Sequence, residues 1–448
     1  MRAAFHTLGC KVNQYETEAL KEQFRSRGYE IVPEDSPADV YVINTCTVTA
    51  LADRKSRQYI RRMKKLAPDS IVAVTGCYVQ IDPQSVEKIE GVDIVAGTNE
   101  KHKIPEYVEH MAEAGRVQEI HIKKYEDLKD YEDTGMITAM ESRTRAYIKI
   151  EEGCNRFCSY CVIPYARGPV RSRAQDEIIA EAKELVGGGF RELILTGINT
   201  ALYEDLPGLL GALENMEGDF RVRLSSLEPT VIDADYVQKL FGYERLCHHL
   251  HLSLQSGSDR ILRAMNRRYD TMEYMKIVEK LRGFDPLYGI STDMIAGFPG
   301  ETEEDVQGSL RIIKEAEFCR VHAFNYSRRP QTAAADMDSQ IEPSERKRRV
   351  NMLMAAGAES AAAFAGKNIG SRTKVIFESA DRDQDGRRTD GAGAETPALI
   401  RGYTDNYLYA YMPADVDDMT LHDITEVKVT GVPVQSDSFP AGSVYVSG

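Results

Sequence analysis

The sequence has no run of 18 or more apolar residues, which excludes a hydrophobic helix long enough to cross a bilayer. It has little cysteine, eight in 448 residues, too few for a disulfide scaffold at this length. It has no tryptophan and no surplus of positive charge. Lysine and arginine total 56 against 70 aspartates and glutamates, for a net of -14 and a pI of about 5.3. That balance excludes a broadly basic protein that coats nucleic acid or a membrane surface, and leaves room for a local basic patch. The N-terminus MRAAFHTLGC lacks the apolar stretch of a signal or lipoprotein leader, because His6 and Thr7 interrupt it. A cytoplasmic location with reduced thiols is therefore expected, with no membrane partner.

What is present is an ordinary soluble composition, 42% apolar and 28% charged, with ample material for a core. At roughly 100–200 residues per domain the length predicts two to four domains. The N-terminal third alternates buried-type strands with helices: RAAFHTLG, then a helix from about Tyr15 to Arg27, ADVYVIN, a basic helix from about Leu51 to Leu66, SIVAVTGC and VDIVAG. This pattern predicts an open parallel sheet covered on both faces. Cys10, Cys46 and Cys77 each follow the end of a strand. The carboxyl ends of such strands form the ligand edge of an open α/β sheet, so the three thiols are expected to converge there. Two readings stay open from the residues alone: an inorganic ligand site, or three small buried side chains. Gly9 and Gly76 tilt the balance towards the first, since a bulky ligand asks for close backbone approach.

After a polar stretch with the acidic patch YEDLKDYEDTG (125–135), the strand RAYIKI leads directly into EEGCNRFCSYCVIPYARGPVRSR (151–173). Cys154, Cys158 and Cys161 are spaced C-x3-C-x2-C. A structural zinc site takes four ligands, usually as paired C-x2-C halves, and no fourth ligand follows nearby. Three thiolates on a short loop suit a 4Fe-4S cluster with one iron left open. Five further strand–helix pairs follow, ending with VHAFNYS (321–327), and predict a partial (β/α)6 barrel that works at its strand C-termini.

These cysteines, together with HTLGCKVNQYETEAL (6–20), INTCTVTALADRKSRQ (43–58), TGCYVQ (75–80), RLSSLEP (223–229), HLHLSLQSGSDRILRAMNRRY (249–269) and DMIAGFPGETEEDV (293–306), resemble the radical S-adenosylmethionine (SAM) methylthiotransferases. The resemblance spans essentially the whole chain and is greatest to the branch that modifies N6-threonylcarbamoyladenosine in tRNA. It implies that Cys154, Cys158 and Cys161 hold the radical-SAM 4Fe-4S cluster and that Cys10, Cys46 and Cys77 hold an auxiliary one. It implies a 5′-deoxyadenosyl radical from SAM, sulfur insertion at adenosine C2 and methyl transfer from a second SAM. The tRNA anticodon stem-loop is then the substrate and a flavodoxin or ferredoxin the electron donor. Cys247 and Cys319 are left as small core residues.

At the strand ends, Thr196, Gly197, Ser226, Glu228 and Gln255 are expected to hold SAM. No side chain is assigned as a general acid or base. Arg167, Arg171 and Arg173 are expected to meet RNA phosphates, as are the basic helix after Cys46 and ERKRR (345–349). The C-terminal strands predict a small β-barrel resembling the TRAM domain, with Tyr403, Tyr407, Tyr409 and Tyr411 as stacking surfaces. SADRDQDGRRTDGAGAETP (379–397) reads as a hairpin excursion from it. The domains are expected at 1–140, 141–368 and 369–448.

Related members act on isopentenyladenosine in tRNA or on a ribosomal-protein aspartate. HTLGCKVNQYE, GPVRSR and RLSSLEP favour the threonylcarbamoyl branch, whereas Asn325 and Gln331 stand where the family often has Pro and Gly. A non-catalytic iron–sulfur RNA-binding protein is the alternative from another class, and SAM cleavage by the reduced protein separates the two.

Overall fold

The computed structural model describes residues 1–132, 134–137, 144–380, 398–414, 421–436 and 439–448. Six strands open the chain: β1 (Arg2–Thr7), β2 (Glu30–Val32), β3 (Val40–Thr45), β4 (Ile71–Gly76), β5 (Ile94–Ala96) and β6 (Glu119–His121). All are parallel, in the order β2-β1-β3-β4-β5-β6. β3 and β4 are buried along their whole length, as their unbroken apolar runs require. Helices α1 (Lys11–Ser26), α2 (Ala50–Leu66), α3 (Cys77–Ile81), α4 (Pro83–Glu87) and α5 (Ile104–Ala114) cover the sheet. Leu20 and Phe24 of α1 pack with Val108 and Met111 of α5 on one face. Ile60 and Met63 of α2 fill the other with Tyr41, Ile43, Val72 and Val74. The edge strand β2 was not expected, because three residues without a buried apolar run show no period. Helix α1 starts at Lys11, four residues before the expected Tyr15, with Cys10 as its N-cap.

The central part begins with β7 (Arg145–Lys149). A two-stranded ribbon, β8 (Glu151–Glu152) and β9 (Arg171–Ser172), brackets the cysteine loop and the short helix α6 (Ile163–Arg167). The strands β10 (Glu192–Thr196), β11 (Arg221–Leu224), β12 (Ser226–Leu227), β13 (His249–Leu252), β14 (Gly289–Ala296) and β15 (Arg320–Asn325) complete a parallel wall with β7. The chain from 221 to 227 breaks at Ser225, so that β11 pairs with β10 while β12 pairs with β13. This break splits the wall into two sheets, β11-β10-β7 and β12-β13-β14-β15. Helices with Asp270–Glu273 and Thr302–Asp305 capping boxes start cleanly before β14 and β15, at Thr271 and Glu303. Cys247 and Cys319 are buried, as expected of core residues.

The helix Pro343–Lys367 leads to a closed five-stranded barrel of β16 (Arg372–Ala380), β17 (Ala398–Thr404), β18 (Tyr409–Ala414), β19 (Ile424–Gly431) and β20 (Ser443–Ser447). Phe377, Ile400, Val427, Val429, Val444 and Val446 fill its interior. The expected boundary at 140/141 and residues 381–397 of the expected excursion lie outside the described residues. Among the described residues no helix is long and apolar enough to cross a membrane.

Candidate active site

Strands β1, β3 and β4 are neighbours, about 4.8 Å apart in the sheet. Cys10, Cys46 and Cys77 follow their carboxyl ends, so one sheet edge carries all three thiols. Gly9 has φ +114°, and a Cβ there would stand 2.9 Å from the Cys46 Cβ and 3.1 Å from its Sγ. Gly76 has φ +102°, and its Cβ would stand 2.3 Å from the Thr45 carbonyl oxygen. Only glycine lets the two loops approach this closely. Asn13 ties them together, its Nδ2 donating to the Leu8 carbonyl at 2.7 Å and the Thr45 carbonyl at 3.0 Å. Burial and then the facing Cys77 push the Cys46 thiol up to about 12. Burial raises Cys77 too, against the pull of Arg167, whose Nε donates to the Cys77 Sγ at 3.2 Å. Thiols that burial keeps protonated are a donor set that would give up their protons to bind cationic iron.

The second trio sits on the loop between β8 and α6. The Cys154 N–H donates to the Gly168 carbonyl at 3.0 Å and the Cys161 N–H to the Cys158 carbonyl at 2.9 Å. Burial pushes Cys154 up to about 11 and Cys161 to about 12, with Cys158 adding to both. Arg267 donates from Nη1 to the Cys158 Sγ at 3.3 Å. Each trio thus has one arginine aimed at one sulfur. Among the described residues, no three His, Cys, Asp or Glu side chains close on a single metal ion. A four-iron cluster instead spreads its thiolates over separate irons, and both donor sets fit that group.

Beside Cys10 lies a cavity of about 420 Å³, within the range of small-molecule sites, which runs to the ends of the central strands. Cys10, Lys11 and Val12 form one wall, and Thr196, Gly197 and Ser226 another. Glu228 and Gln255 lie outside its lining. Glu228 pairs with Arg156 at 2.6 Å and lies 3.7 Å from Arg267, and so joins the cysteine loop to β12. Gln255 has φ +73° and bridges β13 and β14, its N–H donating to the Asp293 carbonyl at 2.8 Å. Glu151, just before the cysteine loop, accepts from the Asn199 N–H at 2.9 Å, and burial raises its carboxyl to about 8.

The deeper lining escaped the sequence reading. His249, His251, Ser291, Asp293 and His322 point into the lumen from alternate positions of β13, β14 and β15. The Ser291 Oγ lies 2.9 Å from the His249 Nε2 and 3.0 Å from the His251 Nδ1, and Asp293 accepts from the His251 Nε2 at 3.1 Å. Burial lowers His322 to about 4. Burial, then Arg223 and Arg145, lower Lys11 to about 8. The signal was there: parallel strands buried on both faces are expected to be continuously apolar, and HLHLSL puts a polar residue at every second position.

Three expectations are corrected. Arg167, Arg171 and Arg173 do not face RNA, because all three are buried. Arg167 is wholly enclosed and pairs with Glu16 and, at 2.7 Å, with Glu152. Arg171 donates to the Arg167 carbonyl, and Arg173 pairs with Glu181. Lys101 and Lys149 complete this buried network between the N-terminal sheet and the central strands. The helix bearing ERKRR is also largely self-paired, with Arg348 on Glu345 and Arg349 on Glu301, each at 2.8 Å. Of the C-terminal tyrosines, Tyr403 and Tyr407 turn inwards. Tyr407 stacks on His249 at 4.2 Å, and Arg145 lies 4.6 Å from the Tyr403 ring. The β17–β18 turn therefore buttresses the lumen: Arg223 donates to the Thr404 carbonyl at 3.1 Å and the Asp405 carbonyl at 3.0 Å.

Residues 2–97 match the family described as "Uncharacterized protein family UPF0004", and residues 148–313 match the Radical SAM superfamily. The threonylcarbamoyladenosine tRNA methylthiotransferase MtaB of Bacillus subtilis is 39% identical, over 97% of this chain and 96% of its own. The protein of the same name from Thermotoga maritima is 37% identical over 83% of this chain and 85% of its own. A tRNA-2-methylthio-N(6)-dimethylallyladenosine synthase of Clostridium perfringens is 35% identical over 78% of this chain and 80% of its own. Among solved structures, the radical S-adenosylmethionine methyltransferase TsrM from Kitasatospora setae superposes with a TM-score of 0.55 over 72% of each chain, at 14% identity. That likeness concerns the fold alone.

Proposed function

Since the chain belongs to the threonylcarbamoyladenosine tRNA methylthiotransferases, we propose that it converts N6-threonylcarbamoyladenosine in tRNA to its 2-methylthio form by radical SAM chemistry. It is a SAM-dependent transferase with a radical SAM region and a TRAM-like barrel. The observation that carries the reading is the cavity that brings Cys10 together with Thr196, Gly197 and Ser226 of the central strands. Cys154, Cys158 and Cys161 would hold one 4Fe-4S cluster, and Cys10, Cys46 and Cys77 a second. When bound, the two clusters supply the electron that cleaves SAM and the sulfur that is inserted.

The rest is the work of this chain's residues. Arg267 donates to the Cys158 Sγ and Arg167 to the Cys77 Sγ, and at each thiolate the guanidinium would favour the more negatively charged state of a bound cluster. The Thr196–Gly197 segment and Ser226 offer backbone and hydroxyl partners to SAM, and Glu228 holds the cysteine loop against them through Arg156. The buried Arg167 network fixes the distance between the two thiol trios, because neither part can move without exposing unpaired charge. The substrate adenosine enters at the cavity mouth, its anticodon loop gripped by exposed cations of α2. A flavodoxin or ferredoxin delivers the electrons, in the cytoplasm, and 1–140, 141–368 and 369–448 are the working division of the chain.

Incubating the reconstituted, reduced protein with SAM and a threonylcarbamoyladenosine-bearing tRNA tests the reading. Nucleoside mass spectrometry is expected to find the 2-methylthio product. Unchanged nucleosides despite SAM cleavage sink the proposal.

A further inference from the structure

The cavity beside Cys10 is lined from the central strands by polar and cationic side chains, among them Arg223, His249, His251 and Ser291. Lys11 reaches into it from the first turn of α1. Among the described residues Lys11 has no carboxylate within ion-pairing distance, and its charged neighbours include two like charges, Arg223 and Arg145. The nearby carboxylates are already committed. Glu192 accepts from Arg221 at 2.6 Å and from Arg223 at 2.9 and 3.0 Å, and Asp293 accepts from His251 at 3.1 Å. The lumen therefore holds an uncompensated cation. His249 lines it with a buried Nδ1 that has no partner among the described residues. The 16-residue helix α1 adds a further anion-favouring element, since its first-turn residues line the cavity and Cys10 makes no side-chain cap bond there.

We propose that this lumen seats the threonylcarbamoyl group of the substrate adenosine, with the Lys11 ammonium paired to the threonyl carboxylate. The assignment rests on the function proposed above and adds to it the residue that selects the substrate. The geometry of the base agrees with it. C2 and the N6-bearing carbon flank N1 on the same ring, so a C2 held between Cys10 and the SAM wall sends the N6 substituent away from both and into the lumen. The threonylcarbamoyl group brings one carboxylate, one hydroxyl and a ureido to meet Lys11, His249 and Ser291. An isopentenyl group brings none of these and would leave the buried polar groups unpaired, which is the strongest form of discrimination a pocket has.

The test measures binding of fluorescent anticodon stem-loops to the reconstituted protein in the presence of SAM. The loops carry threonylcarbamoyladenosine, its carboxylate methyl ester, isopentenyladenosine or plain adenosine. A charged hydrogen bond predicts that wild type binds the free acid about 10- to 100-fold tighter than the other three. Lys11→Gln is expected to erase that preference, Lys11→Arg to keep most of it, and SAM binding to stay unchanged in both. Because Lys11 adjoins Cys10, the ester loop provides a second route that leaves the protein intact. Equal binding of acid and ester by wild type overturns the assignment. So does an undiminished preference in Lys11→Gln, or a loss of SAM affinity instead, which would make Lys11 a SAM ligand. Methylthiolation is scored on the same preparations. If wild type gives no product, the function reading falls and the assignment with it. Product together with an unchanged preference in the variant removes the assignment alone.

Discussion

Glycine and arginine do the least conspicuous work around the thiols. Gly76 stands at a positive φ with the Thr45 backbone where its side chain would be. Gly76→Ala is therefore expected to cost about 1–3 kcal/mol and to spread the β3 and β4 ends. The reconstituted variant should hold about half the wild-type iron, with SAM cleavage retained, as iron assay and cleavage kinetics will show. Arg167 illustrates how a side chain's role depends on its surroundings. In the sequence it is one of three arginines in ARGPVRSR (166–173) and suggests phosphate, whereas in the fold it is enclosed and donates to the Cys77 Sγ. Arg167→Leu should destabilise the protein by about 3–5 kcal/mol, because Glu16 and Glu152 lose their partner. Arg167→Lys keeps the charge and loses the fork. It should lower the reduction potential of the N-terminal cluster and leave that of the central one, which redox titration followed by electron paramagnetic resonance will resolve. Gln331, at φ +70°, shows the reverse case: a residue with a side chain standing in the left-handed region that favours glycine.

Among the elements, α2 is the one on which the proposed RNA contact rests. Thr49 caps it by accepting from the Ala52 N–H at 3.2 Å, Asp53 sits in its first turn, and Lys64 and Lys65 lie in its last, as the helix dipole favours. Arg54, Lys55, Arg61 and Lys65 are exposed along it. Replacing Lys55 and Arg61 by alanine should weaken tRNA binding for every sequence alike and reduce the salt slope by about one for each lost phosphate contact. Binding isotherms at several salt concentrations check this, and an unchanged slope would move the footprint elsewhere. Helices and long strands such as β3, β4 and β14 were legible because their periods run long enough to be seen. The three-residue strand β2 and the break at Ser225 were not, because pairing with a neighbour rather than local pattern defines them.

Across the whole molecule, a buried ion network joins the N-terminal sheet to the central strands. Burial alone would raise Glu152, yet Lys149 and Arg167 outweigh it and hold the carboxyl at about 2. Glu16 is held down in the same way, by Arg167, Lys101 and Lys149. A carboxylate below its ordinary value of 4.5 stabilises the fold above that pH and loses its contribution as the pH falls through the folded value. The melting temperature should therefore fall by several degrees between about pH 4.5 and pH 2 through this network. The gap between wild type and Glu152→Gln should narrow across that window in thermal denaturation. A gap that stays constant would place the acid sensitivity elsewhere.

The sequence by itself determined the fold class, the two trios of cysteines and the family, because these depend on local periods and on residue types at fixed spacing. Only the tertiary structure decided what the arginines do, where the C-terminal tyrosines turn and which residues line the lumen. Lys11, His249 and Tyr407 come from three separate parts of the chain, and no spacing along it records that they meet. Charge has the same dependence on the fold. An arginine becomes a contact for RNA or a buried tie between domains according to whether a carboxylate is folded against it, and burial makes that choice.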